Sequence, residues 1–501
     1  MDKNNKTGYN AKFSSNRSGS YSSTNGRSAY NTGINRTVPR IADRDDKRRQ
    51  SIRNTGYISK VGETKQNTSR NISIKTDNDT APGSEQPVRT VRRRSSNIYV
   101  NDGSDYDQSS TNDKKGYSNE SDKNKLKFYS KGMYFDYSLL FITIFMICFG
   151  LVVLYSASAY EGYMHHNGNS RFFLNGQLIA VGFGIVITAV MVYIIDYNWF
   201  KLKAVALLVY GGSVILSLAV LSPLGVDANG AKRWVKIGMS IQVCEVMKIG
   251  MIIFMAYYVE KYARNLKKCN VFIIGVIFVV IPGGIIAGIT SDLSSAIVIM
   301  AIGVVMLFIA SPKLSHFIIL GILGIVGVLG AIIAQPYRLD RVRAWLHPEK
   351  YDGGYQILQS LYSLGSGGIF GKGLGKGIQK LGYVPEAQND MIFTVICEEL
   401  GVIGGIAVIL MFIFMIWRFM VIAENANDLF GSMLVIGVMT HISVQTIINI
   451  AVVTNSMPNT GVTLPFMSYG GSSILCLMFE IGLVLSVSKR ISDKSSQSLV
   501  Q

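Results

Sequence analysis

The chain has 501 residues, of which 49% are hydrophobic and only 16% are charged, with 49 Lys and Arg against 32 Asp and Glu. Residues 1–132 hold 26 of the basic and 14 of the acidic side chains, so most of the excess positive charge lies in this segment. Long apolar runs almost free of charge follow it, which excludes an ordinary cytosolic enzyme with charges spread over its surface.

The first predicted element is a disordered basic tail, residues 1–132. It is rich in Asn, Ser, Thr, Gly, Arg and Lys and has no helical or strand period, so it cannot bury enough apolar surface to offset its conformational entropy. No signal peptide is recognisable, and the apolar run after Asp136 is expected to act as the insertion signal. The basic clusters are interpreted as a cytoplasmic flank, with binding to anionic lipid or an acidic partner as the alternative. Sparse aromatic residues argue against nucleic acid.

Ten candidate membrane spans follow the tail. About 20 apolar residues cross a bilayer as a helix, and lipid allows only helices or closed barrels. The spans are predicted at residues 138–157, 174–195, 202–222, 240–259, 270–289, 292–310, 314–334, 391–417, 430–453 and 466–488. The expected fold is therefore an all-α polytopic membrane domain at residues 133–490, followed by a short cytoplasmic tail at 491–501.

The positive-inside rule gives this domain an orientation. The loops expected in the cytoplasm and the C-terminal end are basic. They carry Lys201, Lys261, Arg264, Lys267, Lys268, Lys313, Arg418, Lys489 and Arg490. Both termini are thus predicted inside the cell, and a large extracellular loop, residues 335–390, lies between spans 7 and 8. Connections of this length are usually functional.

Ionisable side chains within the spans or at their ends are the first functional candidates, because burying a charge in a bilayer is costly. They are Glu245, Lys248, Asp292, Asp390, Glu398, Glu399 and Glu480. Glu245 and Lys248 are three residues apart, which also fits a local ion pair. Glu480 is expected to be protonated or to face the bundle.

Cysteine and histidine contribute little to the prediction. The five cysteines have no CxxC or zinc spacing, so buried free thiols are expected. The five histidines form no metal-binding pattern either.

The end of the long loop carries two acids, Glu386 and Asp390. If a helix begins at Pro385, they lie one turn apart on one face, and Glu398 lies two turns further on. Two carboxylates there could serve as a general base or hold a divalent cation. Simple helix N-terminal charges remain the alternative.

Two further features of the loop suit phosphate. The segment 364–377 is rich in glycine and contains two lysines, so its backbone amides could approach a phosphate, although it is not a P-loop. A flexible surface or re-entrant loop is the alternative interpretation. Arg338, Arg341 and Arg343 precede Trp345, and guanidinium groups beside an aromatic ring suit pyrophosphate and sugar.

These residues fall within separated motifs that resemble the SEDS family (shape, elongation, division and sporulation), polytopic proteins that polymerise peptidoglycan. The resemblance covers about Tyr155 to Arg490 and is closest to the FtsW and SpoVE branches. The matching segments are residues 155–158, 229–234, 242–248, 291–296, 354–375, 379–380, 385–393 and 458–473. The chain departs from the family pattern at Val243, Cys244, Ser291, Ser294, Asn389 and Met391.

The resemblance implies an inverting peptidoglycan glycosyltransferase that polymerises lipid II at the outer face of the bacterial cytoplasmic membrane, during division or sporulation and at the septum. It implies that Asp390 is the catalytic acid, either as the general base or as the ligand of a divalent cation, Mg²⁺ or Mn²⁺. The residues expected to bind substrate are Arg233, Lys248, Glu245, Asp292, Glu386, Arg338, Arg341 and Lys380.

The implied partners are a class B penicillin-binding protein that cross-links the strands, other division or sporulation proteins, and membrane lipids. Two other functions are compatible with ten spans and internal charges. One is a transporter or flippase of the lipid-linked precursor. The other is a non-catalytic scaffold that recruits division proteins through its tail.

Overall fold

The computed structural model describes residues 133–228, 231–237 and 239–492. The predicted disordered tail and the residues after Ser492 lie outside this range. The described residues form twelve α-helices. Their bounds are α1 Tyr137–His165, α2 Phe172–Tyr193, α3 Lys203–Leu218, α4 Val243–Tyr262, α5 Cys269–Ile289, α6 Leu293–Ala310, α7 Leu314–Ile333, α8 Pro336–Leu346, α9 Tyr355–Gly367, α10 Ile392–Asn425, α11 Leu429–Val453 and α12 Gly471–Ser488.

Five short strands accompany these helices. The strands β2 Gly225–Ala228, β3 Ala231–Ile237 and β4 Met239–Gln242 form an antiparallel sheet between α3 and α4. β1 Met133–Tyr134 pairs with β5 Ile491–Ser492. This last pair holds the two ends of the membrane domain side by side, so both ends lie on one side of the bundle.

The predicted polytopic all-α fold is confirmed. Nine helices of the described chain are long and apolar enough to cross a membrane, namely α1, α2, α3, α5, α6, α7, α10, α11 and α12. The tenth predicted span is α4, whose 20 residues rise about 30 Å, enough to cross the hydrocarbon core. It differs from the nine because its four charged side chains, Glu245, Lys248, Glu260 and Lys261, leave no stretch of 18 residues with fewer than three charges.

Two helices are longer than their predicted spans. α1 continues past residues 155–158, which the sequence interpretation placed at its end, to His165. It stops where Asn167 and Gly168 adopt positive φ angles of 51° and 79°. α10 reaches Asn425 rather than residue 417. Hydropathy detects the apolar part of a helix, whereas the polar turns at its ends continue the same hydrogen-bond pattern.

The core lies around α4, which packs against α3, α6 and α11. Met247, Met251, Ile252, Ile253 and Met255 of α4 have no exposed surface. Outside this core, α2 packs along α12, and α10 packs along α1 and α11. In contrast, α7 has no buried residue, and its ends are held by Phe317 against Phe272 and by Arg338.

All five cysteines are free thiols, as predicted. The predicted burial holds for Cys244 and Cys397 but is wrong for Cys148 and Cys269, which are exposed, and Cys476 is intermediate. Cys148 on α1 and Cys269 at the start of α5 lie on sides turned away from the bundle. The amino-acid type alone does not tell which side of a helix faces the bundle.

The glycine-rich segment inserts into a break in α10. Gly401 has φ 71°, which interrupts the helix, and the amides of Val402 and Ile403 donate to the carbonyls of Gly368 and Ile369. In return, the carbonyls of Glu398 and Glu399 accept from the amides of Lys372 and Gly373, at 3.0 and 2.9 Å. The inserted segment thus restores the hydrogen bonds that the break removes, as non-helical backbone at membrane depth requires.

Candidate functional site

Asp390 lies in the turn just before α10. A helix from Pro385, the condition for a shared face of the two acids, does not form, because α10 begins at Ile392 and residues 385–391 form turns. Glu386 has a φ of 52°, a left-handed conformation that cannot continue a right-handed helix. Glu386 and Asp390 are therefore not one helical turn apart, and Glu398 does not extend a helical face from them.

The carboxyl group of Asp390 is almost completely buried. The residue is 6% exposed, and its Oδ1 atom receives no hydrogen bond from the described residues. Burial and, to a smaller extent, the negative charge of Glu386 raise the pKa of Asp390 to about 7, whereas Arg341 opposes the shift. A carboxyl group with this pKa changes its protonation state near neutral pH, which is the property that a general base needs.

The backbone around Asp390 is held by a side chain that the sequence interpretation missed, Asn449 of α11. Its Nδ2 donates to the carbonyls of Asp390 and Val462, both at 2.7 Å, and its own Oδ1 is buried without a donor. Val462 belongs to the segment 459–463, which is in contact with Asp390: a Cβ on Gly461 would lie 3.9 Å from Asp390 Oδ2. Asn449 therefore joins the backbone of Asp390 to the neighbouring segment 459–463.

The loop arginines have different surroundings. Arg341 is exposed and donates to the carbonyl of Asn459 at 3.2 Å, so the structure brings it to the segment that borders Asp390. Arg338 donates to the carbonyls of Ala331 and Ala287, at 2.8 and 3.1 Å, and joins the ends of α7 and α5. Of these two predicted substrate ligands, Arg341 is the one near the acid.

Arg343 and Trp345, the other members of this group, have local partners. Arg343 pairs with Asp340 at 3.1 Å, and the indole N–H of Trp345 donates to the carbonyl of Asn455 at 2.9 Å. Both contacts fix α8 rather than presenting a free group to the acid.

Asp390 and two residues of the neighbouring elements carry oxygen atoms that could serve as ligands of a divalent cation. Asp390 Oδ1, Asn449 Oδ1 and Thr460 Oγ1 are hard oxygen atoms that lack hydrogen-bond donors. In the described part of the chain, no group of three or more His, Cys, Asp or Glu side chains could hold a metal ion. These oxygen atoms are candidate ligands of a cation that would take its remaining ligands from water and substrate phosphate, which is common for Mg²⁺.

Lys380 belongs to a second polar cluster, below the glycine-rich segment. It donates to Glu399 Oε1 at 2.5 Å and to Ser156 Oγ at 2.6 Å, and both lysine and carboxylate are buried. Lys372 pairs with Glu398 at 2.7 Å in the same way. This cluster holds Lys380 at Glu399 rather than at Asp390.

The carboxylates of this cluster also accept backbone hydrogen bonds from the glycine-rich segment and from Ile378, which follows it. The amide of Ile378 donates to Glu398 at 2.9 Å, and that of Gly375 to Glu399 at 3.1 Å. The amides expected to approach a phosphate are in part used to bind these two acids. The glycine-rich segment is thus attached to α10 by both side-chain and backbone contacts.

A third cluster confirms the ion pair of α4. Lys248 Nζ lies 2.8 Å from Glu245 Oε1 and 2.9 Å from Gln445 Oε1. His441 connects Gln445 to Glu480, with 2.8 Å on each side, so Glu480 faces the bundle as predicted. Gln445 and His441 were not singled out from the sequence. Polar residues at every fourth position of the apolar helix α11, at 441, 445 and 449, are the signal that could have found them.

Asp292 and Arg233 lie at the start of α6. Asp292 caps this helix, accepting from the amide and the hydroxyl of Ser295 at 3.1 and 2.8 Å. Arg233 donates to the carbonyl of Thr290 at 3.4 Å. Ser294, in the first turn of α6, donates to the carbonyl of Thr460 at 3.0 Å, which brings this region to the segment 459–463.

Comparison with known families gives a match over the membrane domain. Residues 137–493 match the FtsW/RodA/SpoVE family, described as cell cycle proteins. The chain is 37% identical over 362 residues to stage V sporulation protein E of Bacillus subtilis (strain 168), covering 71% of this chain and 97% of that protein. It is 38% identical over 359 residues to the probable peptidoglycan glycosyltransferase FtsW of Trichlorobacter lovleyi, covering 71% and 93%.

Solved structures show the same fold. One, described as structural coordination of polymerization and crosslinking by a peptidoglycan synthase complex, has a TM-score of 0.61 at 24% identity and covers 72% of this chain and 99% of its own. The rod shape determining protein RodA of Thermus thermophilus has a TM-score of 0.54 at 23% identity, covering 72% and 98%. The family match and the identities above 30% over most of both chains establish that this protein is a member of the FtsW/RodA/SpoVE family of cell cycle proteins.

Proposed function

We propose that this membrane protein is a peptidoglycan glycosyltransferase that polymerises lipid II into glycan strands at the outer face of the cytoplasmic membrane. Two relatives that this chain matches over almost their whole length carry the name probable peptidoglycan glycosyltransferase FtsW. The observation that carries the proposal is Asp390, a buried carboxyl group beside Arg341 with a pKa of about 7.

The reaction is a single displacement at the anomeric carbon of the donor sugar. The acceptor hydroxyl forms the new C–O bond, its proton passes to the Asp390 carboxylate, and the bond to the lipid pyrophosphate breaks with its electron pair on the leaving oxygen. No covalent enzyme intermediate is needed, so one carboxylate suffices and the configuration inverts. Asp390 must be unprotonated to accept the proton, and Arg341 favours that state.

The leaving pyrophosphate gains negative charge as its bond to the sugar breaks, so a positive group beside it would stabilise it. In the alternative role of Asp390, its carboxylate and the neutral oxygen atoms beside it would hold a divalent cation, Mg²⁺ or Mn²⁺, which would supply charge neutralisation on the phosphate oxygens. Arg341 is exposed on the same side and suits phosphate through its guanidinium group.

The orientation follows the positive-inside rule, with both ends of the membrane domain in the cytoplasm and the loop 335–390 outside. The pairing of β1 with β5 supports the placement of both ends on one side. A class B penicillin-binding protein is the proposed partner, since a structurally similar chain comes from a complex that coordinates polymerization and crosslinking. The septum, in division or sporulation, is the proposed location.

The test is reconstitution of the protein with its transpeptidase partner, lipid II and Mn²⁺, followed by analysis of glycan ladders. The wild type is expected to form ladders, and Asp390→Ala to form none. Asp340→Ala is the matched control, because Asp340 is an exposed acid of the same loop and its ion pair among the described residues is with Arg343.

Two outcomes would refute the proposed glycosyltransferase activity. Ladders of equal length from Asp390→Ala would make the carboxylate dispensable, as in a scaffold. Absence of ladders from the wild type, together with passage of lipid II across the vesicle membrane, would indicate a flippase.

A further inference from the structure

The segment 459–463, which borders Asp390, is held almost entirely by side chains from other elements. Arg341 of α8 donates to the carbonyl of Asn459, and Ser294 of α6 donates to the carbonyl of Thr460. The next two contacts come from α11, where Asn449 donates to the carbonyl of Val462 and Gln445 to that of Thr463, at 2.7 and 3.0 Å. The position of this segment therefore depends on distant helices rather than on its own secondary structure.

The α11 contacts form a continuous polar ladder, defined as His441, Gln445 and Asn449. The three side chains are four residues apart, so they lie on one face of the helix, and each is at most 2% exposed. Asn449 binds the carbonyls of Val462 and Asp390, Gln445 binds Thr463, and His441 binds Gln445. One end of the ladder is the backbone of the acid, and the other end is the middle of the bundle.

The hydrogen-bond directions in the ladder are determined by its neighbours. The Thr463 carbonyl can only accept, so it takes the N–H of Gln445, and the ammonium of Lys248 can only donate, so it faces Gln445 Oε1. His441 Nε2 contacts the same Oε1 at 2.8 Å and must therefore carry a proton. The contact of His441 Nδ1 with Glu480 Oε2, also 2.8 Å, then holds one further proton between the two groups.

This arrangement keeps the cluster electrically balanced. The pair of His441 and Glu480 is neutral in sum, whichever of the two holds the shared proton, and Lys248 balances Glu245. Removing one member from a set of paired buried polar groups is costly, and such a set favours one geometry. Gln445 is the member that links both pairs to the segment beside the acid.

Resting on the proposed role of Asp390, we propose that the polar ladder is a positioning device for the transfer reaction, in which Gln445 and Asn449 hold the segment 459–463 and the Asp390 backbone in register. Asp390 remains the group that reacts. The ladder determines where its carboxylate stands relative to the acceptor hydroxyl, and misplacement by about 1 Å is enough to lower a rate strongly.

The experiment uses the full-length protein with its transpeptidase partner and compares Gln445→Met with Thr440→Val. Gln445→Met removes the link to Thr463 but leaves both charge pairs in place. Thr440→Val is the matched control, because within the described part of the chain this buried hydroxyl of α11 donates to the carbonyl of Ile436 on its own helix. Initial rates of polymerisation are measured at several lipid II concentrations.

A positioning role predicts that Gln445→Met lowers kcat at least tenfold while KM changes by less than about threefold, with Thr440→Val unchanged. A purely structural role would reduce the amount of folded enzyme, which size-exclusion chromatography reports, and would leave kcat per folded molecule unaltered. An unchanged kcat, or an effect confined to KM, would overturn the proposal.

A second readout does not depend on activity. Val462→Cys is introduced into a background in which the native cysteines are replaced by serine, and its rate of modification by a maleimide is measured. Val462 is buried, so the rate should be low, and it should rise at least fivefold with Gln445→Met but not with Thr440→Val. Equal modification rates with Gln445→Met and with Thr440→Val would overturn the proposal that the ladder holds this segment. An inactive wild type with the expected labelling would refute the proposed function alone.

Discussion

At the scale of single residues, Asp390 combines burial with a nearby cation. Burial and Glu386 favour its protonated form, whereas Arg341 favours the carboxylate. The balance places its pKa at about 7, so a small change in either neighbour alters the fraction of carboxylate at neutral pH.

This balance predicts a pH dependence. If Asp390 is the general base, polymerisation should rise with pH through about 7, because only the unprotonated form accepts the proton. Glu386→Gln removes a like charge, which lowers the pKa of Asp390. The rising part of the pH profile, its acid limb, should therefore move to lower pH. Arg341→Gln should move it to higher pH. The measurement is kcat/KM from pH 5 to 9 at fixed Mn²⁺.

Asp340→Asn, which changes an exposed charge of α8 paired with Arg343, should leave the limb in place. An acid limb well below pH 6 in the wild type would contradict the base role and would favour a cation ligand, whose carboxylate stays ionised.

Asp390 could be identified from the sequence because a carboxylate beside an apolar run is costly and therefore conspicuous. The same reasoning found Glu245, Lys248 and Glu480. Asn449 and Gln445 carry no charge, so their presence in α11 costs less and attracts less attention. Their roles depend on carbonyl groups that lie 13 to 59 residues away in the chain, and no local pattern specifies those contacts.

At the scale of the elements, the decisive feature is the break in α10. A side chain at Gly401 would need a left-handed conformation, and its Cβ would lie 2.3 Å from the carbonyl oxygen of Ile369. The break, the inserted segment and the carboxylates of Glu398 and Glu399 are therefore one unit.

Gly401→Ala should destabilise the protein by more than the roughly 1–3 kcal/mol of the backbone strain alone, because the contact with Ile369 adds to it. The measurement is thermal unfolding in detergent. Gly365→Ala in α9 is the control, since nothing lies within 4 Å of its added Cβ, and it should be nearly neutral. Equal melting temperatures for the two variants would contradict the inserted geometry.

Lys380 gives a second prediction for this unit. Lys380→Met leaves Glu399 buried without its partner and should cost about 3–5 kcal/mol, with a lower melting temperature. Adding Glu399→Gln should recover part of this loss. A Lys380→Met protein that is as stable as the wild type but inactive would instead support the substrate-binding role that the resemblance implies.

The sequence shows that the glycine-rich segment is an unusual loop, but it does not show what the segment contacts. Glycine at 367, 371 and 401 permits close backbone contact, which a sequence interpretation assigns equally well to a phosphate or to another part of the chain. The pairing of residues 368–373 with 398–403 is a tertiary contact, so its partner cannot be read from the segment itself.

At the scale of the whole molecule, the ten spans followed from hydropathy because the bilayer thickness fixes the length of a crossing helix. Even α4 was found, although its four charges make it the least apolar. Packing was not predictable in the same way: α4 occupies the centre and α7 the edge, yet both are about 20 residues long.

The proposed orientation predicts which cysteines a membrane-impermeant maleimide reaches. Cys269, at the exposed start of α5, should react in inverted vesicles and not in right-side-out vesicles. Asp340→Cys in the outer loop should show the opposite pattern. Modification of Cys269 from the outside of sealed vesicles would reverse the topology and remove Asp390 from the outer face.

The central claim is that the Asp390 carboxylate accepts a proton while two sugars are joined. Its most direct measurement is the initial rate of glycan polymerisation by Asp390→Asn, a substitution that preserves size and removes the charge, in the complex with the transpeptidase. The rate is expected to fall about 10²- to 10⁴-fold with lipid II binding retained. A rate equal to that of the wild type would contradict the account.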